Sequence, residues 1–201
     1  MLLRALLSVA MLGCSSQSAS MPDSGTNGDA GTQVVGTAGG SVFVAEDAIF
    51  TTADASGLEF NGQSTALMIA TFTGACAKEQ ANAGVKGGRS LFIGLAVNDA
   101  DGNASPVTSP GTHTIASGAG AVAAGALVAQ LFYQRLGDDC LRAEAHQASS
   151  GQIVVTAVDA SMLAGTFDVV LADTNEHITG SFQASSCSFF DPNRTPIATC
   201  Q

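Results

Sequence analysis

The chain has 201 residues, with seven Lys and Arg against seventeen Asp and Glu, for a net charge of -10. That balance disfavours a nucleic-acid-binding module, which needs a basic stripe to displace counterions, and the length bounds the chain at one domain with room for a tail. At 46% hydrophobic and 12% charged, it has enough apolar surface to bury a core and is not disordered throughout.

Met1 to Gly13 reads MLLRALLSVAMLG, with Arg4 ahead of an apolar run from Ala5 to Leu12. The run is too short for a bilayer, which takes about 20 apolar residues, and it fits the apolar region of an export signal. The segment Met11-Leu12-Gly13-Cys14 then resembles the lipobox of a bacterial lipoprotein signal peptide, with Gly13 as the small residue before the cut. The resemblance implies cleavage before Cys14 and acylation of its sulfur and new amine. Several acyl chains anchor a protein stably where a single chain holds it marginally. Ser15 rather than Asp after the cysteine implies, in that family, an outer-membrane address. Removing residues 1–13 leaves six cations against seventeen acids, a side-chain charge of -11.

Ser15 to Thr32, SSQSASMPDSGTNGDAGT, is dominated by small and polar residues, with Met21 its one large apolar side chain. Such a segment cannot offset its ordering entropy. The lipidated cysteine and a flexible tether are therefore expected over 14–33, with a root-mean-square reach of about 25 Å. A single β domain is expected over 34–201.

Within that domain short apolar runs recur between Gly, Asn, Asp and Pro, with no sustained 3.6-residue period. Val42-Phe43-Val44 and Ala48-Ile49-Phe50 read as an early strand or bent pair. Ala66 to Phe72 is a strand with Leu67, Ile69 and Thr71 on one face. Cys76 to Ala83 reads as one short helix stopped by Gly84. Leu91, Ile93, Leu95 and Val97 share a face while Phe92 and Ala96 make the other apolar, which predicts a central strand covered on both sides. Leu127, Ala129, Leu131 and Tyr133 line a further strand, and Gln152 to Val158 follows it. Asp159-Ala160-Ser161 is a turn. In the last hairpin, alternation pairs Asp168 with Thr179 and Thr166 with Ser181 on the wet face, and Val169 with Ile178 on the dry face. Eight or nine short strands with turn chemistry between them predict an all-β fold, an antiparallel β-sandwich or a barrel. Long end loops such as Gly118-Ala119-Gly120 favour the sandwich.

The layout, carried by Gly-Thr-Phe-Asp-Val at 165–169 and Gly-Ser-Phe-Gln-Ala at 180–184 followed by Cys187, also resembles small lipoproteins of the myxobacteria. That group brings no established activity with it.

Setting Cys14 aside leaves Cys76, Cys140, Cys187 and Cys200, an even number that suggests two disulfides in an exported chain. Cys187 with Cys200 is a local closure, and Cys76 and Cys140 both follow apolar strands, so these are the pairings expected. A zinc site would need close pairs such as C-x-x-C, and there are none.

Candidate chemistry is sparse. Asp99, Asp101 and Asn103 are spaced like the start of an EF-hand loop, but Ala104 replaces the required Gly and Pro110 stands where the bidentate Glu belongs, so a polar turn explains them as well. Glu144 and His146 share a face on an extended strand, with Asp138 and Asp139 close by, as a weak metal candidate. His177 falls on the wet face of the last hairpin, and His113 starts a strand without an acidic neighbour. Lys78, Lys86 and Arg89 cluster three cations as a candidate anion patch. Phe189, Phe190 and Arg194 are the residue types that dominate binding hot spots and form the candidate partner contact. No G-x-S-x-G, P-loop or dinucleotide fingerprint occurs, so no cofactor is expected.

The expectation is a non-catalytic envelope lipoprotein, held at the membrane by its lipid and binding a protein partner or filling a structural role. The alternative is an envelope hydrolase whose site is assembled from distant residues. A sugar-binding module ranks below both, since the chain has no Trp and its one Tyr points inward.

Overall fold

A computed structural model describes residues 31–54, 61–101, 103–116, 123–194 and 197–201. The lipobox, Cys14, nearly all of the tether and the Gly118–Gly120 loop lie outside these residues. Strands dominate. In chain order they are β1 (Gln33–Ala38), β2 (Ser41–Val42), β3 (Asp47–Asp54), β4 (Gln63–Ala70), β5 (Ala83–Gly84), β6 (Arg89–Asn98), β7 (Ala104–Ser105), β8 (Gly111–Ile115), β9 (Leu127–Leu136), β10 (Arg142–Val158), β11 (Met162–Leu171), β12 (His177–Ser186) and β13 (Thr199–Cys200). A single helix among the described residues, α1, spans Ala75–Ala81.

β3, β4, β6 and β9 form a run of antiparallel neighbours. β10 is 17 residues long and joins two groups of strands. Its first half pairs with β9, and its second half lies between β8 and β11. β11 and β12 form the last hairpin, in which Thr166 faces Ser181, Asp168 faces Thr179 and Val169 faces Ile178. That is the register read from the alternation. The free edge of β12 takes β1 along its first half and β3 at its end.

The expectation of a purely antiparallel fold is corrected here. β12 runs parallel to β3, β8 to β9 and β13 to β5. The path of pairings returns to its start only through the two rungs between β12 and β3, Ser185 with Ile49 and Ser186 with Phe50. The result is a mixed sheet of many strands and not a clear barrel. The strand count exceeds the eight or nine expected, in part because β2, β5, β7 and β13 are two-residue pieces too short for alternation to reveal.

β6 is the covered central strand that its sequence predicts. Leu91, Ile93 and Leu95 are fully buried in the main core with Leu67, Ile69, Leu131, Tyr133, Ile153, Val169, Ile178 and Phe182. On its other face Phe92 joins a second cluster with Ile49, Ala66, Met68, Ala70, Cys187 and Phe190. α1 and the C-terminal segment cover this outer face. The helix ends earlier than expected, because Asn82 rather than Gly84 takes the left-handed conformation at its C-cap (φ 50°). Asn tolerates that region through its short polar side chain. Asp47 ties the start of the helix to the sheet, its two carboxylate oxygens accepting from Ala48 N and Ala75 N, each at 2.8 Å.

The two disulfides are Cys76–Cys187 and Cys140–Cys200, with sequence separations of 111 and 60. The expected pairings, Cys187 with Cys200 and Cys76 with Cys140, are therefore wrong, and the parallel contacts give the reason. The end of β12 runs beside β3 and continues with Cys187 N donating to Phe50 O at 2.8 Å, which delivers Cys187 to the helix. β13 runs beside β5, with Cys200 opposite Gly84, and the side chain of Cys140 packs against Gly84. Strand pairing thus decides which cysteines meet, and nearness in sequence does not.

Candidate functional site

The outer layer leaves a cavity of about 280 Å³ between α1, the C-terminal segment and strands β4, β6 and β9. Side chains alternate across a strand, so the even-numbered residues Met68, Phe92 and Phe132 supply its apolar floor, with Phe72 and Ile197 at its sides. Phe72, Phe92 and Phe132 are half-buried. Ser90 also lines the cavity and is only 5% exposed.

Charge around this cavity is unlike that of the rest of the chain. Lys78, Arg142 and Arg194 line it, against Glu79 and Asp191. Arg194 is fixed: it donates to Glu79 O and, at 2.6 Å, to Phe189 O, and its guanidinium lies 3.7 Å from the Glu79 carboxylate. Burial pushes the Glu79 carboxyl above its usual range, with the Arg194 charge opposing that rise. Lys78 donates to the Gln201 side chain at 3.1 Å. Arg142 is exposed and forms no ion pair among the described residues.

Of the candidate partner contact of Phe189, Phe190 and Arg194, only Arg194 lines this cavity, and the fold divides the three. Phe190 is 4% exposed and packs against Phe92 with ring centroids 6.1 Å apart. Arg194 staples the segment to α1. Phe189 alone of the three projects outward, at 44% exposure. The other candidate cations separate: Lys78 lines the cavity, Lys86 is exposed, and Arg89 turns to the inner face with its guanidinium 5.8 Å from the Phe43 ring centroid.

On that inner face a polar cluster sits at the end of the main core. The register places Arg89, Arg135 and Glu144 in one row across β6, β9 and β10, and Leu91, Tyr133 and His146 in the next. Glu144 accepts from Arg135 and from His146, both at 3.0 Å. The second nitrogen of His146 lies 3.6 Å from Asp173. The β1–β2 turn closes over the cluster, and Gly39 N and Gly40 N donate to the two oxygens of Glu176 at 2.9 and 2.8 Å. Burial works to raise the Glu176 pKa, but the hydrogen bonds from Gly40, Thr174, Thr37 and Gly39 outweigh it and hold the carboxyl below its usual range. Both imidazole nitrogens of His146 face carboxylates, and the hydrogen bond to Glu144 raises its pKa. The Tyr133 ring stacks on His146 beside this cluster.

The remaining candidates serve local structure. Asp99 Oδ1 accepts from Asp101 N and Asn103 N, and Asn103 in turn accepts from the Asn61 side chain. This is an Asx turn in which Asp99 organises the loop. Asp139 accepts from Leu141 N. No group of three or more metal-ligating side chains occurs among the described residues. His177 lies 2.6 Å from Asp168 on the exposed face of the hairpin. His113 is fully buried on β8, its Nδ1 3.2 Å from Val128 O. Desolvation lowers its pKa, against the carbonyls of Val128 and Ala96.

Sequence reasoning missed the cavity, because its floor and its lid come from segments that no local pattern links. The signal present was the apolar second face of the Leu91–Val97 strand; of the cations between residues 78 and 89 only Lys78 lines the cavity. Comparisons with family models, with curated proteins and with solved structures found no match to this chain.

Proposed function

We propose that the protein is a non-catalytic lipoprotein of the bacterial cell envelope, a β domain carried on a flexible tether and anchored by lipid at Cys14. In this reading the sheet folds back on itself as a sandwich over the main core, and the domain serves in binding. The observation that carries the reading is cysteine accounting. The two disulfides consume Cys76, Cys140, Cys187 and Cys200, so Cys14 has no partner left within the chain and stands directly behind the lipobox-like Met11-Leu12-Gly13. Two disulfides belong to an oxidising compartment, where a lone unmodified thiol is exposed to oxidation and exchange. No helix among the described residues is long and apolar enough to cross a membrane, so attachment in this reading rests on the lipid.

The outer-membrane address rests on Ser15 and is part of the same proposal. The test is the intact, non-reduced mass of the protein extracted from membranes. The expected species begins at Cys14, carries added acyl mass and lacks the hydrogens of two disulfides. A species without lipid, or one with free thiols among the last four cysteines, would overturn the reading.

A further inference from the structure

We propose that the cavity under α1 binds a small amphipathic carboxylate, with its apolar body on Phe72, Phe92 and Phe132 and its acidic head toward Arg142 and Lys78. This goes beyond the envelope reading and holds whether or not Cys14 is acylated. The volume of about 280 Å³ lies just below the ~300–1,000 Å³ of pockets that hold drug-sized ligands, so the occupant is small. Three half-buried aromatic side chains form a surface that gains by being covered. Ser90 on the cavity wall brings a hydroxyl that can donate or accept a hydrogen bond to an occupant.

The sign of the ligand follows from charge. Six cations stand downstream of Arg4 against seventeen acids, yet three of those six line this cavity with only two of the acids. Glu79 is already matched by Arg194, which leaves Lys78 and Arg142 facing Asp191. An anionic head finds attraction here, while the net charge of the remaining surface repels it. A neutral ligand of the same shape would gain the aromatic contact and lose the attraction to the cations. A cationic one would meet repulsion from Arg142. The two disulfides bracket the cavity, one fastening α1 to the residue before the Ser188–Phe190 turn and the other fastening the chain end to the β9–β10 turn, so the walls are held in place before a ligand arrives.

The test is an amide-resolved NMR titration of the oxidised full chain with 3-phenylpropionate and, separately, with its neutral analogue 3-phenylpropanamide. Saturable shifts are expected on β6, β9 and α1, with the acid binding about fivefold tighter than the amide. The double variant Lys78→Gln/Arg142→Gln is expected to bring the acid down to the affinity of the amide and to leave the amide unchanged. Ser90→Leu, which fills the cavity, is expected to weaken both. Absence of saturable shifts in a folded sample, equal affinity for acid and amide, or an unchanged acid affinity in the double variant would each overturn the proposal. None of these outcomes alters the membrane-extract mass, so the two readings fail independently.

Discussion

The His146 imidazole lies flat against the Tyr133 ring, with centroids 5.9 Å apart and planes 10° from parallel, and the two residues are direct neighbours across β9 and β10. The hydrogen bond to Glu144 raises the His146 pKa, partial burial opposes it, and Asp173 adds to the rise. Because the folded value lies above the unfolded value of about 6.5, the stabilisation is full below pH 6.5 and is lost as the pH rises through the folded value. Glu144→Gln is therefore expected to cost about 1 kcal/mol at pH 5.5 and less at pH 8, as read by urea denaturation, with the His146 pKa falling in an NMR titration. An equal cost at both pH values would count against the pairing.

His113 has the opposite sign. Desolvation holds its folded pKa below the unfolded value, so the unfolded chain takes up the proton first and stability declines as the pH falls below about 6.5. Between pH 7.5 and 5.5 the wild type is expected to lose about 1 kcal/mol through this group. His113→Leu removes that loss, whatever its stability at neutral pH. Denaturation curves of both proteins at both pH values supply the comparison.

Gly39 and Gly40 both have positive φ, 62° and 70°, but their surroundings differ. A Cβ on Gly39 would come within 2.6 Å of Glu144 Oε1 and 2.8 Å of the Tyr133 hydroxyl, while one on Gly40 meets nothing within 4 Å. Gly40→Ala is expected to cost about 1 kcal/mol, the backbone penalty alone. Gly39→Ala adds the displacement of the Glu144 carboxylate and the buried Tyr133 hydroxyl and should cost about 2–3 kcal/mol. Thermal denaturation that ranked the two variants in the reverse order would contradict this closure of the β1–β2 turn.

Phe189 and Phe190 are adjacent in sequence and opposite in role. Phe190→Ala removes a ring from the second core and is expected to cost about 3 kcal/mol or more. Phe189→Ala removes an exposed ring and should stay within about 0.5 kcal/mol. Equal losses in chemical denaturation would mean that the segment packs otherwise.

Removing Cys76 and Cys187 together as serines should cost about 2–5 kcal/mol. Proteolysis without reduction should yield one linked fragment holding Cys76 and Cys187 and a second holding Cys140 and Cys200. A fragment that joined Cys187 to Cys200 would refute the connectivity.

The legible parts of the fold are those in which a local alternation decides the outcome. The last hairpin is one, because Phe167, Val169 and Leu171 must all face inward and a one-residue slip would turn them out. Leu91 to Val97 is another, since both of its faces are apolar. The first half of β10 was not legible: Arg142 to Gln147 carries Glu144 and His146 on its inward row, where they meet Arg135 and Tyr133 instead of a hydrophobic layer. β1 was missed because Gly36, at φ 127°, interrupts an already short run. The cysteine pairing was misread because the closing contacts are parallel and long-range, while sequence spacing informs only about local closure. Of the candidate site, the aromatic and basic residue types were visible, but their assembly depends on the path of the C-terminal segment.

The disulfide connectivity has a consequence for biogenesis. An exported chain that leaves its pore N-terminus first presents Cys76 and then Cys140 to the oxidising side while Cys187 and Cys200 are still inside. With Cys14 set aside as the proposed lipid site, the first two thiols to meet an oxidant are thus the two that must not stay joined. A Cys76–Cys140 bridge formed in transit has to be reopened by thiolate attack, and uncatalysed reshuffling takes minutes to hours. On that route maturation is expected to be faster with an isomerase present than with an oxidase alone. In cells lacking the isomerase the protein should accumulate with the early cysteines cross-linked and the outer layer, with its cavity, unformed.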